Sequence, residues 1–166
     1  MDTMSAQQRS ILMSKIRAKD TKPELFVREL LHAAGYRYLL HGRIAHGTLE
    51  RLHRQSPDIR LPGNKLPGSP DIVFAARKQA VFIQGCFWHL HSCAAGIHAP
   101  ATNARFWAAK RDRTDERDGQ NAEELKALGF SSLVLWECEL TDPEAVLQRL
   151  ALFLGPTSVS RQERSG

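Results

Sequence analysis

Four side chains able to hold a soft divalent cation are concentrated in one part of the chain. Cys86, His91 and Cys93 lie within eight residues, and Cys138 follows a later apolar run. Three thiolates and one imidazole form a tetrahedral donor set suited to Zn²⁺. With every position supplied by protein, no place remains for substrate or an activated water, so such a zinc serves folding. The plainer alternative is that Cys86 and Cys138 are small buried apolar residues, as free cysteines often are. Zinc is the better reading, because all three cysteines are used and a histidine falls between two of them. An odd cysteine count with no export signal also argues against a disulfide framework. A zinc deaminase is disfavoured, since the H-x-E and P-C-x-x-C pattern is missing.

A carboxylate supplies the second possible chemistry. Leu66-Pro67-Gly68-Ser69-Pro70-Asp71-Ile72-Val73-Phe74 places Asp71 at the entrance of a buried strand. An acid there is expensive unless it binds a cation or is well hydrogen-bonded. The next apolar run, Ala80-Val81-Phe82-Ile83-Gln84, would bring a second metal contact alongside it. Asp71 could equally cap the turn after Pro70, and spacing alone leaves both readings open. Ser56-Pro57-Asp58-Ile59 repeats the same context thirteen residues earlier, an echo too short for a structural repeat. Asp58 runs into Arg60 and Pro62, which suit a loop, whereas Asp71 leads through a hairpin into the Cys/His run.

The elements that must position these groups follow from pattern. Residues 5–19 read as a short basic helix carrying Ile11, Leu12, Met13 and Ile16. Its Arg9, Lys15, Arg17 and Lys19 suit phosphate contact, although a basic helix face is often only solvated. Thr21-Lys22-Pro23-Glu24 is a capping-box start for a second helix with Val27, Leu30, Leu31 and Ala34 on one face, closed by Gly35. Residues 36–41 suit a strand, and 42–64, without a sustained period, a long surface loop or insertion. Residues 71–76 and 80–84 form a hairpin across Arg77-Lys78-Gln79. A long helix is expected over 103–128, ended by Gly129, with its charged middle at 111–121 facing solvent or ligand. A buried strand follows at 131–137. Asp142-Pro143-Glu144 then opens a helix with Leu147, Leu150, Ala151 and Leu154 on one face.

The result is an α/β (α+β) domain over 1–154, a small mixed sheet flanked by helices, with a disordered polar tail at 155–166. A length of 166 residues suits one domain, and a net charge of +5 favours a polyanionic partner such as nucleic acid. No apolar run approaches a membrane span, and the N-terminus lacks a secretory core, so a soluble cytoplasmic protein is expected.

Gly85-Cys86-Phe87-Trp88-His89-Leu90-His91-Ser92-Cys93 closely resembles the signature of the very-short-patch repair (Vsr) endonucleases. The resemblance extends through Lys19 to Glu24, Leu66 to Phe74, Phe106-Trp107-x-x-Lys110, Arg117-Asp118 and Trp136-Glu137-Cys138. It implies a restriction-endonuclease-like fold and nicking of one strand of duplex DNA, 5′ to the thymine of a T·G mispair left by 5-methylcytosine deamination. It also implies that Asp71 binds Mg²⁺ with the Ile83 carbonyl as second protein ligand, and that His89 is general base, oriented by Asp118. That chemistry is sensible, since histidine is poised near neutral pH and a carboxylate fixes its tautomer. Of the two nearby histidines, His91 fits the zinc set. Glu24 matches a family carboxylate near the active site and is also the capping-box glutamate.

By the same resemblance Phe87, Trp88 and Trp107 match aromatics wedged into the base stack, and Met13 a residue inserted from the opposite groove. Two bulky aromatics beside a zinc loop, away from any periodic element, also suit exposure better than core packing. Lys110 matches the lysine contacting the mispair. Thr114 stands where the family has asparagine, and Gln84 where relatives have a histidine or an acid, so base readout and metal affinity are expected to differ in detail. The implied partners are T·G-containing double-stranded DNA and a MutL-type mismatch-repair protein, with no membrane, the chain acting as a monomer. The competing readings are a related nuclease with another target and a catalytically silent zinc-stabilised DNA-binding module.

Overall fold

The computed structural model describes residues 7–8, 19–98 and 100–157. Most of the basic N-terminal helix expected at 5–19, with Met13, Arg9, Lys15 and Arg17, and the tail beyond 157 lie outside the described residues.

Four strands form one mixed sheet in the order β1 (Leu39–Leu40), β2 (Ile72–Phe74), β3 (Gln79–Gln84) and β4 (Ser131–Trp136). β1–β2 and β2–β3 are antiparallel, whereas β3 and β4 run parallel, with Gln79 opposite Ser131 and Gln84 opposite Trp136. A parallel pair needs a crossover, here supplied by α4 (Ala104–Ala127). The hairpin and both long-helix boundaries match the sequence reading within a residue or two. Gly129 (φ +81°) closes α4 in the left-handed conformation that glycine adopts without strain.

Alternation along the strands sends side chains to opposite faces. On one face Ile72, Phe74, Val81 and Leu135 pack against α1 (Lys22–Ala33) and α5 (Pro143–Leu154) through Val27, Leu31, Val146, Leu150 and Leu154. On the other, Val73 meets Leu125, Leu128 and Phe130 from the end of α4 and beyond. Both expected caps form. Thr21 Oγ1 accepts from the Glu24 N–H, and Asp142 Oδ1 from the N–H groups of Glu144 and Ala145.

Four expectations need correction. The segment 42–64 is not a loop throughout, because it contains α2 (His46–Gln55), whose Leu49 and Leu52 are buried with Ile44 and Leu66 in the second core. With only two leucines three residues apart, Gly47 in the first turn and no side-chain cap on Ala45, the helix left little pattern. The strand read at 36–41 shrinks to two residues, because Tyr36 turns inward, its ring edge-on to Phe74 and its hydroxyl donating to the Gly155 carbonyl at 2.6 Å. Arg111, expected among the outward-facing charges of α4, is buried. On α5, Val146 rather than Ala151 completes the inner face.

Candidate active site

The edge of β1 fixes the approach to Asp71. The His41 N–H donates to the Asp71 carbonyl at 3.1 Å and the Gly42 N–H to the Pro70 carbonyl at 2.6 Å. Gly42 (φ +71°) runs so close to Ser69 that a Cβ would stand 2.8 Å from its Cα. Held there, the Asp71 carboxylate accepts a hydrogen bond from the Ile83 N–H at 2.7 Å across the hairpin. In a strand the N–H and C=O of one residue leave on the same side, so the Ile83 carbonyl also faces Asp71. Burial pushes the Asp71 carboxyl up to about 6; the charge of Glu24 adds to the rise, while the Ile83 hydrogen bond and Arg28 oppose it. A carboxylate this costly to ionise suits a cation.

Glu24 sits in the first turn of α1. It is buried, accepts from the Asp20 N–H and the Thr21 hydroxyl at 2.9 Å each, and pairs with Arg28 at 3.1 Å. It also lines the cleft that Asp71 enters.

That cleft, of about 660 Å³, is where the strand-end residues converge. Asp71, Ile83 and Gln84 line it from the hairpin, His89 from the turn beyond β3, and Asp118 from α4. Asp118 hydrogen-bonds His89 Nδ1, which fixes the ring and leaves Nε2 as its second nitrogen. Lys19, His41, Lys65 and Arg117 also face this space. Sequence reasoning had not placed the last three there, because only strand pairing and the α4 crossover bring them in. Asp58 is exposed in the turn after α2 and does not line the cleft.

Next to the cleft, Cys86, His91, Cys93 and Cys138 bring one donor atom each within 4.8 Å of all the others. A tetrahedral zinc with bonds of about 2.3 Å to sulfur spaces its sulfurs by roughly 3.8 Å, so the donor set fits the ion. The His91 ring stacks on Trp136, centroids 4.3 Å apart and planes 18° from parallel, with Nδ1 3.4 Å from Cys138 Sγ. A hydrogen bond with His91 chiefly draws the Cys93 thiol down to about 6. Desolvation, then the thiols of Cys86 and Cys93, push Cys138 up to about 12. The cluster therefore resists carrying three negative charges unless a cation is present. The turn α3 (Ala94–Ile97) packs so tightly on this loop that a Cβ on Gly96 would fall 1.8 Å from the His91 carbonyl oxygen.

Phe87, Trp88 and Trp107 meet as a half-buried trio with ring centroids 5.0–5.7 Å apart. Lys110 Nζ lies 5.0 Å from the Trp88 centroid and 5.4 Å from that of Trp107. Phe106, 55% exposed, extends the cluster outward from Trp107. The Thr114 hydroxyl donates to the Lys110 carbonyl at 3.1 Å, a bond to its own helix that leaves less for reading a base edge.

A mixed sheet with an acid at the mouth of one hairpin strand and a His–Asp pair beyond the other defines a restriction-endonuclease-like DNA endonuclease. The model of the family described as DNA mismatch endonuclease Vsr matches residues 1–95, and the chain belongs to that family. It is 38% identical over 156 residues to the type II nicking enzyme V.XorIIP of Xanthomonas oryzae, spanning 94% of this chain and 98% of that protein. Identity to the type II nicking enzyme V.NmeAIP of Neisseria meningitidis is also 38%, over 90% of this chain and 91% of the other. The DNA mismatch endonuclease Vsr of Escherichia coli is 37% identical over 110 residues, 63% of this chain and 69% of its own. Among the described residues, no helix is long and apolar enough to cross a membrane.

Proposed function

We propose that the chain nicks one strand of duplex DNA on the 5′ side of the thymine in a T·G mispair. Asp71 and the Ile83 carbonyl would hold Mg²⁺, and Cys86, His91, Cys93 and Cys138 a structural Zn²⁺. Bound Mg²⁺ supplies stabilisation of charge on the phosphate oxygens. His89, held through Nδ1 by Asp118, takes a proton from the attacking water at Nε2. Glu24 braces the cap of α1 and adds negative charge beside Asp71, while Lys19, Lys65 and Arg117 neutralise the phosphates that flank the nick. The observation supporting this reading is that Asp71 and the Asp118-held His89 line one cleft.

The trio of Phe87, Trp88 and Trp107, with Lys110, would enter the base stack beside the mispair. Opening a step costs a few kcal/mol, and less where pairing is already defective, which favours T·G over intact DNA. The test is a set of end-labelled duplexes that differ only at one T·G, T·C or T·A position, incubated with and without Mg²⁺ on zinc-loaded protein. One Mg²⁺-dependent nick 5′ to the thymine of T·G alone is expected. Equal cutting of the paired duplex would point to a sequence-directed nuclease, and tight T·G binding without cleavage to a silent binding module.

A further inference from the structure

Arg111 is a buried cation that the proposed chemistry does not use. It is 6% exposed, and among the described residues no carboxylate lies within ion-pair distance of it and its Nε has no hydrogen-bond partner. A guanidinium placed so is costly, and an apolar side chain of similar length would suit the space at less expense. What it does touch is specific. Nη2 donates to the Gly96 carbonyl, Nη1 donates to the His98 carbonyl at 3.4 Å, and the guanidinium carbon stands 4.9 Å from the Phe87 ring centroid.

These contacts join three parts of the molecule. Gly96 belongs to the turn pressed against the His91 backbone, so a group fixed to Gly96 is fixed to the zinc loop. Phe87 follows the ligand Cys86 directly and carries Trp88 and Trp107 with it. Arg111 itself sits on α4, which also bears Trp107 and Lys110. The planar fork of arginine can grip two carbonyls while offering its face to a ring, an arrangement lysine does not reproduce.

We infer that Arg111 is a positioning residue that holds the Phe87–Trp88–Trp107 cluster rigid against the zinc loop, so that the cluster meets the mispair already formed. The inference rests on the reading of that cluster as a wedge. A preformed wedge opens the base step without first ordering its own side chains, so unstacking at the mispair, more than folding, depends on Arg111.

The test uses zinc-loaded full-length protein and a T·G duplex with 2-aminopurine next to the mispair, whose fluorescence rises when it is unstacked. Wild type is expected to raise the signal. Arg111→Met at saturating protein is expected to keep one zinc per chain and fold, yet leave the signal low and nick T·G DNA about ten- to a hundredfold more slowly. Arg111→Lys, which keeps the charge and one donor, provides the folded comparison if the Met variant is unstable, with an intermediate signal expected. A wild-type signal from zinc-loaded Arg111→Met or Arg111→Lys would overturn the inference. Loss of zinc from both variants would also overturn it, by making Arg111 a structural brace only. A wild-type chain that binds the duplex and leaves the base dark would defeat the wedge reading, and this inference with it.

Discussion

Replacing Asp71 with asparagine is expected to abolish nicking and, at the same time, to stabilise the protein in magnesium-free buffer. The loss follows from removing the charge that would hold the cation, an effect of several kcal/mol on the transition state and so on the order of 10³-fold or more in rate. The gain follows from burial, which raises the Asp71 carboxyl to about 6 from an unfolded value near 4. A carboxyl raised on folding binds more protons in the folded state, so its ionisation opposes folding as pH rises from about 4 to 6. At pH 8 the penalty is fully present, about 3 kcal/mol, and near pH 5 it is roughly half that. Asparagine carries no such penalty and retains an oxygen for the Ile83 N–H. Melting of Asp71→Asn beside wild type at pH 8 and pH 5, with single-turnover nicking of T·G DNA, checks both halves. Asp58→Asn, altering an exposed acid outside the cleft, should leave rate and stability near wild type; a dead Asp58 variant would reverse the assignment.

The second large effect is expected from Cys138→Ser. Cys138 is exposed, so the smaller side chain opens no cavity and the change reports on ligation. As a ligand it would also tie the loop after β3 to the turn at Glu137–Glu139 after β4. Structural zinc binding is worth about 10–16 kcal/mol in small zinc-finger peptides, against a total stability of about 5–15 for a domain. Loss of even part of that should drop the melting temperature by about 10 °C or more. Zinc content should fall from one ion per chain towards none, with nicking lost because His89 sits three residues from Cys86 on the same loop. Metal analysis beside thermal denaturation decides this. A Cys138→Ser protein that melts normally and nicks normally would show the cluster to be dispensable.

Local chemistry was the part of this protein most legible in its sequence. The Thr21 and Asp142 caps, the glycine after α4 and the hairpin into the Cys/His run all announce themselves within a few residues. The gathering of Cys86, His91, Cys93 and Cys138 as one possible donor set was readable because chemistry restricts which residues can hold a metal. What stayed hidden depends on distant pairing. Nothing near Lys65 or Arg117 shows that both face Asp71, since that follows from the hairpin and the α4 crossover. Helix α2 hid behind a polar composition, with its two buried leucines finding their partners in Leu66 and Leu125 far along the chain. Arg111 misled for a related reason. Charge on a helix usually means solvent, and only the packed turn at Gly96 gives this guanidinium a buried place. Glu24 was undecidable from spacing because its capping and cleft-facing positions coincide.

Placement of an Asp71-held cation at the scissile phosphate is tested most directly with a T·G duplex carrying a single nonbridging sulfur at that position. A cation held by Asp71 against that phosphate predicts that one diastereomer is cut at least about tenfold more slowly in Mg²⁺. Softer Mn²⁺ should restore much of the rate, and in Asp71→Asn that rescue should vanish. Equal cutting of both diastereomers, with the same rates in Mg²⁺ and Mn²⁺, would contradict a metal at this phosphate.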